Sequence, residues 1–283
     1  MRTRADAPLG VFDSGLGGLT VVGALRRRLP GEAIVYLGDT ARVPYGTRSA
    51  ETVVRYARGC ARVLVERGVK ALVVACGTVS SVALDALRVE FDLPVLGVIE
   101  PSARLAVERA RGGVIGVLGT PGTVASGAYP RSVAAFSTRS EVVARPAPLF
   151  VPLAEEGWVE GEVPRLAARR YLEPLVRAGA RVVVLGCTHY PLLKPVIAAE
   201  AEALAGAPVE VIDTASAVAD EVARFLGERG LAAAAPAGAP LEVLVTDLPG
   251  GFAEVAGRFL GEALPEVRQI DLASASRAAG APG

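Results

Sequence analysis

Short apolar runs alternate with amphipathic stretches along most of this chain. Ten of these runs predict β-strands, at residues 9–12, 33–37, 71–75, 95–99, 114–118, 141–144, 182–185, 209–212, 241–245 and 267–270. The intervening segments carry apolar residues at helical spacing, as between Val53 and Val65. Uninterrupted apolar strands are typical of parallel sheets that are buried on both faces by helices. The pattern therefore predicts an α/β fold with mainly parallel sheets.

A weak internal repeat predicts how these elements divide. Residues 10–15 (GVFDSG) and 116–122 (GVLGTPG) both have the pattern of a strand, a turn of small residues and the start of a helix. A cysteine follows each turn at a similar interval, Cys76 after Asp13 and Cys187 after Thr120. We predict two similar three-layer α/β domains with a shared cleft between them. The first comprises residues 1–98 and 214–283, with the C-terminal segment returning to it, and the second comprises residues 99–213.

Composition narrows the class of partner. The 30 basic and 30 acidic residues balance, so no net charge draws the chain to nucleic acid or a membrane surface, and a small-molecule ligand is expected. The sequence shows no signal-peptide pattern and no apolar run long enough to span a bilayer. An odd number of cysteines, three, favours a reducing compartment, so a cytoplasmic location is expected. Residues 231–240 resemble a linker or loose excursion, and residues 273–283 a frayed end.

Two cysteines occupy similar settings, in LVVACGT at residues 72–78 and VVLGCTH at residues 183–189. A thiol between a strand and a helix lies where α/β proteins bind ligands, and a helix N-terminus favours its thiolate form. Either cysteine alone is equally typical of a small apolar residue that ends a strand. Thr78 and Thr188 follow the thiols closely and suit either substrate binding or helix capping. Cys60 lies within a predicted helix, where we expect it only to pack.

Other polar residues accompany the two thiols. Asp13 lies in a glycine-rich turn that fits neither the dinucleotide nor the P-loop fingerprint but suits an anion such as a carboxylate. His189, the only histidine, is placed to tune or relay protons for Cys187. Zinc is the rival interpretation, but further ligands are missing, so no metal is expected. Residues 39–46 form either a surface loop or a wall of the site, and Glu155 and Glu156 either face solvent or point into the cleft.

These groups suit proton transfer at carbon. One base removes a proton from a carbon acid while a second group delivers a proton to the opposite face, and two thiols from two domains provide that symmetry. A pyridoxal enzyme would need a Schiff-base lysine at a strand-end turn, and neither Lys70 nor Lys194 is placed at one. No cofactor is therefore expected.

Five motifs closely resemble those of the glutamate racemases in the aspartate/glutamate racemase superfamily. They are GVFDSGLGGLTV at 10–21, YLGDT at 36–40, PYG at 44–46, GVLGT at 116–120 and LGCTHYPLL at 185–193, in the family's order. The resemblance covers about residues 9–215. It implies a cofactor-independent isomerase that interconverts L- and D-glutamate for peptidoglycan synthesis. It also implies two α/β domains with the site between them, commonly in a homodimer.

The resemblance also implies roles for individual residues. Cys76 would take the α-proton of D-glutamate and Cys187 that of L-glutamate, with Asp13 assisting the first thiol and His189 the second. Glu155 matches an additional acidic residue near the site. The positions associated with substrate binding are Asp13, Ser14, Pro44, Tyr45, Gly46, Cys76, Gly77, Thr78, Thr120, Thr123, Cys187, Thr188 and His189.

One position departs from the family pattern. Gly77 stands where the family usually has asparagine after its first thiol, which removes a polar contact worth roughly 1 to 3 kcal/mol when buried. Two alternatives therefore stay open. In the first, the substrate is aspartate or another acidic amino acid. In the second, the chain is a ligand-binding or regulatory relative with impaired catalysis.

Overall fold

Two parallel sheets form the framework of the computed structural model, which describes residues 4–234 and 238–272. The first sheet has the order β10-β9-β2-β1-β3-β4, and the second has the order β6-β5-β7-β8. The strands are β1 Leu9–Asp13, β2 Ile34–Gly38, β3 Ala71–Val74, β4 Val95–Gly97, β5 Val114–Gly119, β6 Glu141–Pro146, β7 Val182–Leu185, β8 Glu210–Asp213, β9 Leu241–Val245 and β10 Val267–Gln269. Every paired strand runs parallel to its neighbour.

Helices follow most of the strands and cover the faces of the sheets. They are α1 Leu19–Arg28, α2 Ala50–Glu66, α3 Gly77–Val82, α4 Leu84–Glu90, α5 Ile99–Ala110, α6 Pro121–Ala125, α7 Ala128–Phe136, α8 Phe150–Glu155, α9 Glu162–Arg177, α10 Lys194–Ala205, α11 Thr214–Glu228 and α12 Phe252–Leu260. Within the described ranges, no helix is both long and apolar enough to cross a membrane. The α/β fold class predicted from the apolar pattern is confirmed.

All ten predicted strands are present, with ends that differ by at most two residues. The largest differences are at β4, which ends at Gly97 rather than Ile99, and at β6, which continues to Pro146. β4 is shorter because Val98 already has helical backbone angles and caps α5, so Ile99 becomes the first residue of a helix. An apolar residue in the first turn of a buried helix cannot be told from a strand residue by its hydrophobicity alone.

The internal repeat corresponds to a repeated strand order. β2-β1-β3-β4 in the first sheet has the same arrangement as β6-β5-β7-β8 in the second. In both, the strand that leads to the small-residue turn pairs with the strand that leads to the cysteine, with Phe12 opposite Val74 and Leu118 opposite Leu185. Because parallel strands end at one edge of a sheet, each turn lies beside its thiol.

The C-terminal segment extends the first sheet, since β9 pairs with β2 and β10 pairs with β9. The described part of the expected linker at residues 231–240 is hydrogen-bonded to the first half of the molecule. The amide of Gly238 donates a hydrogen bond to the carbonyl of Pro30, and the amide of Ala233 donates one to the Glu32 carboxylate. The expected frayed end at residues 273–283 lies outside the described residues. The predicted domain boundaries remain a prediction that sheet membership supports.

Candidate active site

Cys76 and Cys187 line one cavity of about 280 Å³. Cys76 is two residues past the end of β3 and is the N-cap of α3, while Cys187 is two residues past the end of β7. Both thiols are buried. Two turns that are more than a hundred residues apart in the chain thus meet at the carboxyl ends of two different sheets. This is the position at which α/β proteins bind their ligands.

Most of the residues predicted for the site line this cavity. They are Ser14, Pro44, Tyr45, Gly46, Cys76, Gly77, Thr78, Thr120, Glu155, Cys187, Thr188 and His189. Asp13 and Thr123 lie behind the lining, where they hydrogen-bond to the lining residues Gly15 and Thr120, respectively. The prediction missed eight lining residues, namely Gly15, Val43, Thr47, Pro121, Pro148, Val151, Pro152 and Gly186. Two of these lie within the motifs and three flank them, but Pro148, Val151 and Pro152 carry no chemical signal in the sequence.

The Cys76 thiol sits in surroundings that favour its protonated form. Its Sγ donates a hydrogen bond to Ser14 Oγ at 3.4 Å. Burial and the nearby Asp13 carboxylate together raise the pKa of Cys76 to about 12. At neutral pH this sulfur therefore carries a proton that it can donate.

Asp13 lies at the end of β1, behind Cys76, and is 1% exposed. Its Oδ2 accepts a hydrogen bond from the amide of Gly15 at 3.1 Å, whereas no described group hydrogen-bonds to its Oδ1. Burial raises the pKa of Asp13, and the charge of His189 and backbone amides oppose that effect only in part. The carboxyl group thus lies within electrostatic reach of both Cys76 and His189.

Cys187 lies beside a hydrogen-bonded arm made by His189 and Glu155. His189 Nδ1 is 3.8 Å from Cys187 Sγ, and its Nε2 is 2.9 Å from Glu155 Oε1. Burial disfavours the charged imidazole, but its hydrogen bonds to Cys187 and Glu155 outweigh burial and raise the pKa of His189 to about 10. A protonated imidazole thus places positive charge beside the Cys187 sulfur. The two thiols therefore have opposite electrostatic surroundings.

Three threonine hydroxyls form a cluster at one end of the cavity. Thr120 Oγ1 is 2.9 Å from Thr78 Oγ1 and 3.0 Å from Thr123 Oγ1. Thr120 also caps α6 by accepting a hydrogen bond from the amide of Thr123. Hydroxyls that can rotate to donate a hydrogen bond suit a carboxylate ligand. Thr188 belongs instead to the other arm, with its Oγ1 3.4 Å from His189 Nδ1.

One wall of the cavity is the loop that contains Pro44, Tyr45 and Gly46, and a buried carboxylate holds this loop in place. Asp39, which is completely buried, accepts hydrogen bonds from the hydroxyl of Tyr45 and from Thr246 Oγ1, the latter at 2.9 Å. Arg42 Nε forms an ion pair with it at 2.8 Å. The interpretation of residues 39–46 as a wall is therefore supported, while the anchoring role of Asp39 was not predicted.

Gly77 allows the two thiol-bearing turns to touch. A Cβ atom at this position would overlap the carbonyl oxygen of Gly186, the residue before Cys187. A side chain here therefore requires the two turns to move apart. In this chain the Gly186 carbonyl therefore occupies the space that the expected asparagine side chain would need at position 77.

Nothing in the described part of the chain groups three or more His, Cys, Asp or Glu side chains so that they could hold a metal ion.

Comparisons with known proteins identify the class to which this fold and site belong. A family model described as Asp/Glu/hydantoin racemase matches residues 19–222, which include both thiol turns. The chain belongs to this racemase family. Among its relatives, a glutamate racemase from Geobacter metallireducens is 49% identical over 264 residues, covering 93% of this chain and 96% of the relative.

Solved structures show the same architecture. A glutamate racemase from Francisella tularensis in complex with D-glutamate superposes with a TM-score of 0.87 at 34% identity, covering 95% of this chain and 99% of that one. A glutamate racemase from Thermus thermophilus in complex with β-chloro-D-alanine gives a TM-score of 0.84 at 45% identity, with 95% and 98% coverage. The predicted fold class, α/β with two similar domains, is therefore confirmed, and it is the two-domain racemase fold.

Proposed function

We propose that this chain interconverts L- and D-glutamate without a cofactor, with Cys76 and Cys187 as the two bases. The observation that carries the proposal is that both thiols line one small cavity at the carboxyl ends of two sheets. The near full-length similarity to glutamate racemases supports glutamate as the substrate.

The proposed reaction moves one proton in and one proton out. The Cys187 thiolate takes the α-proton of L-glutamate, and the electron pair of the broken C–H bond delocalises into the α-carboxylate. The Cys76 thiol then gives its proton to the opposite face of the α-carbon, which yields D-glutamate, a Cys187 thiol and a Cys76 thiolate. The reverse reaction uses the same groups in exchanged roles.

The surroundings of the thiols match the starting state for L-glutamate. His189 carries positive charge beside Cys187, while burial and Asp13 keep the proton on Cys76. After turnover the protons must return, and we infer that Asp13 serves Cys76 while the arm of His189 and Glu155 serves Cys187. The threonine hydroxyls would hold a carboxylate of the substrate, which becomes a stronger hydrogen-bond acceptor when negative charge develops on it.

The wider role follows from this activity. We propose that the product D-glutamate is used for peptidoglycan synthesis in the cytoplasm, and that two copies of the chain form a homodimer. Light scattering coupled to size-exclusion chromatography on the purified chain measures the second point directly. A particle mass of one chain at micromolar concentration contradicts the homodimer.

Removal of either thiol tests the mechanism. We expect Cys76→Ala and Cys187→Ala each to lower glutamate racemisation by at least about a hundredfold, because each removes one of the two proton-transfer groups. Circular dichroism follows racemisation, and mass spectrometry follows deuterium uptake at the α-carbon from heavy water. Cys60→Ala is the matched control, because Cys60 is an equally buried thiol on α2 that does not line the cavity. Racemisation that survives in either of the first two variants contradicts the two-base mechanism.

A substrate panel separates the proposal from its alternatives. Glutamate, aspartate and other acidic amino acids are incubated with the chain and separated on a chiral column. Faster turnover of aspartate would make the chain an aspartate racemase, and tight binding without α-hydrogen exchange would make it a binding relative. We expect glutamate to exchange and racemise fastest.

A further inference from the structure

The helix α12 reaches the proton-transfer arm of Cys187 from the opposite half of the molecule. It lies between β9 and β10, which belong to the sheet of Cys76, whereas His189 and Glu155 lie in the half that contains Cys187. Its buried face consists of Phe252, Ala256, Phe259 and Leu260. The end of this face packs against the site.

Two neighbouring residues of α12 contact the arm at different atoms. The Phe259 ring meets the His189 imidazole edge to face, with ring centroids 5.1 Å apart and an interplanar angle of 74°. Arg258 Nη2 donates a hydrogen bond at 2.5 Å to the main-chain carbonyl of Glu155, at the end of α8. Phe259 is only 3% exposed, so its ring has little freedom to move away from the imidazole.

We propose that Phe259 and Arg258 are positioning residues, which hold His189 and Glu155 in the alignment that serves Cys187. Phe259 fixes the plane of the imidazole, and Arg258 fixes the backbone that carries the Glu155 carboxylate. Together they keep His189 Nε2 within 2.9 Å of Glu155 while Nδ1 faces the Cys187 sulfur. The catalytic consequence rests on the proposed function, but the alignment itself does not.

The chain offers an unusually direct probe, because His189 is its only histidine. In untagged protein with isotope-labelled histidine, a single imidazole signal reports this one side chain. The charged or titratable groups around it are Cys187 and Glu155, which hydrogen-bond to it, Asp13, whose charge acts on it, and Arg258 of α12. Burial lowers the pKa of the imidazole, but its hydrogen bonds to Cys187 and Glu155 outweigh burial and raise the pKa to about 10. An imidazole that loses the alignment of these hydrogen bonds should therefore titrate at lower pH.

The test compares Phe259→Leu with Phe252→Leu. Phe252 lies on the same helix and is 4% exposed, but it makes no ring contact with His189, so the pair is matched in chemistry and burial. We expect Phe259→Leu to move the histidine titration to lower pH and to lower kcat/KM for glutamate by about tenfold to a hundredfold. Phe252→Leu should leave the titration unchanged. Equal titrations in the two variants overturn the proposal.

Isotope effects show whether the defect lies on the Cys187 side. Because the enantiomers have equal free energies, kcat/KM must fall equally in both directions, and rates alone do not separate the two thiols. The α-deuterium of L-glutamate is transferred to Cys187, and that of D-glutamate to Cys76. We expect Phe259→Leu to increase the isotope effect on kcat/KM for deuterated L-glutamate relative to that for D-glutamate. An unchanged ratio contradicts a role in aligning Cys187.

Arg258→Met tests the same arm without removing a core side chain, since Arg258 is about one-third exposed. Its control is Arg26→Met, because Arg26 likewise donates one hydrogen bond to a main-chain carbonyl, that of Ala239, and another to a glutamate side chain, that of Glu262. Only the first variant should shift the histidine titration. If the wild-type chain fails to racemise glutamate, the proposed function is wrong, and the histidine titrations still decide whether α12 aligns the arm.

Discussion

The two cavity thiols differ in what surrounds them rather than in where they lie. Both follow a strand by two residues and both are buried. Cys76 has a buried carboxyl group and a hydroxyl as neighbours, whereas Cys187 has a protonated imidazole. Negative charge thus lies near one thiol and positive charge near the other, which fits the proposed roles of Cys76 as proton donor and Cys187 as base for L-glutamate. At the residue scale, an apparently symmetric pair is electrostatically polarised.

Gly77 tests how closely the two thiol turns must approach. Although the resemblance described above implies asparagine at this position, we expect Gly77→Asn to lower kcat/KM by at least tenfold. Its Cβ would overlap the Gly186 carbonyl and push Cys76 away from Cys187, and displacements of about 1 Å can cost roughly a hundredfold in rate. Gly59→Ala is the control, because a Cβ at this helical position meets no neighbouring atom. Full activity in Gly77→Asn would show that the turns separate without cost.

At the element scale, the wall loop depends on Asp39 at the end of β2. Asp39→Asn keeps the shape of the side chain but removes the charge that Arg42 faces at 2.8 Å, and one amide oxygen replaces two acceptors. We expect KM for glutamate to rise severalfold and the free energy of unfolding to fall by about 1 to 3 kcal/mol. Steady-state kinetics and urea unfolding measure the two effects. Asp85→Asn is the same change at an exposed site and should alter neither.

The elements were largely predictable because their signals are local. Uninterrupted apolar runs predicted every strand, and the turns after β1, β3 and β7 stood out by their small and nucleophilic residues. The contributions of Asp39 and α12 were not predicted. Thr246 contacts Asp39 across 207 residues of sequence, and Phe259 contacts His189 across about 70 residues. No pattern within a short window of sequence reports such contacts. Long-range packing, not propensity, places them.

At the scale of the whole molecule, a buried ion pair lies at the amino-terminal ends of strands β2 and β3, whereas the cavity lies at the carboxyl ends of the strands. Lys70 Nζ lies 2.5 Å from Glu32 Oε2 and donates to the carbonyls of Ala5 and Leu231. The Glu32 carboxylate also accepts a hydrogen bond from the amide of Ala233. The pair thus joins the N-terminal segment, the start of β3 and the chain that follows α11. We therefore expect this ion pair to contribute to the stability of the fold but not to the reaction at the two thiols.

Lys70→Met tests that separation. Removing one partner of a buried ion pair leaves an uncompensated charge, so we expect the free energy of unfolding to fall by about 3 to 5 kcal/mol. Glu32→Leu combined with Lys70→Met removes both charges and should recover part of that loss, as measured by urea unfolding, because the carbonyls of Ala5 and Leu231 and the amide of Ala233 still lose their partners. Since neither residue lines the cavity, kcat/KM of the folded fraction should equal that of the wild type in both variants. A change in kcat/KM without a change in the free energy of unfolding would contradict this separation. It would mean that the ion pair acts on the thiols through a conformational change, because the two sites do not touch.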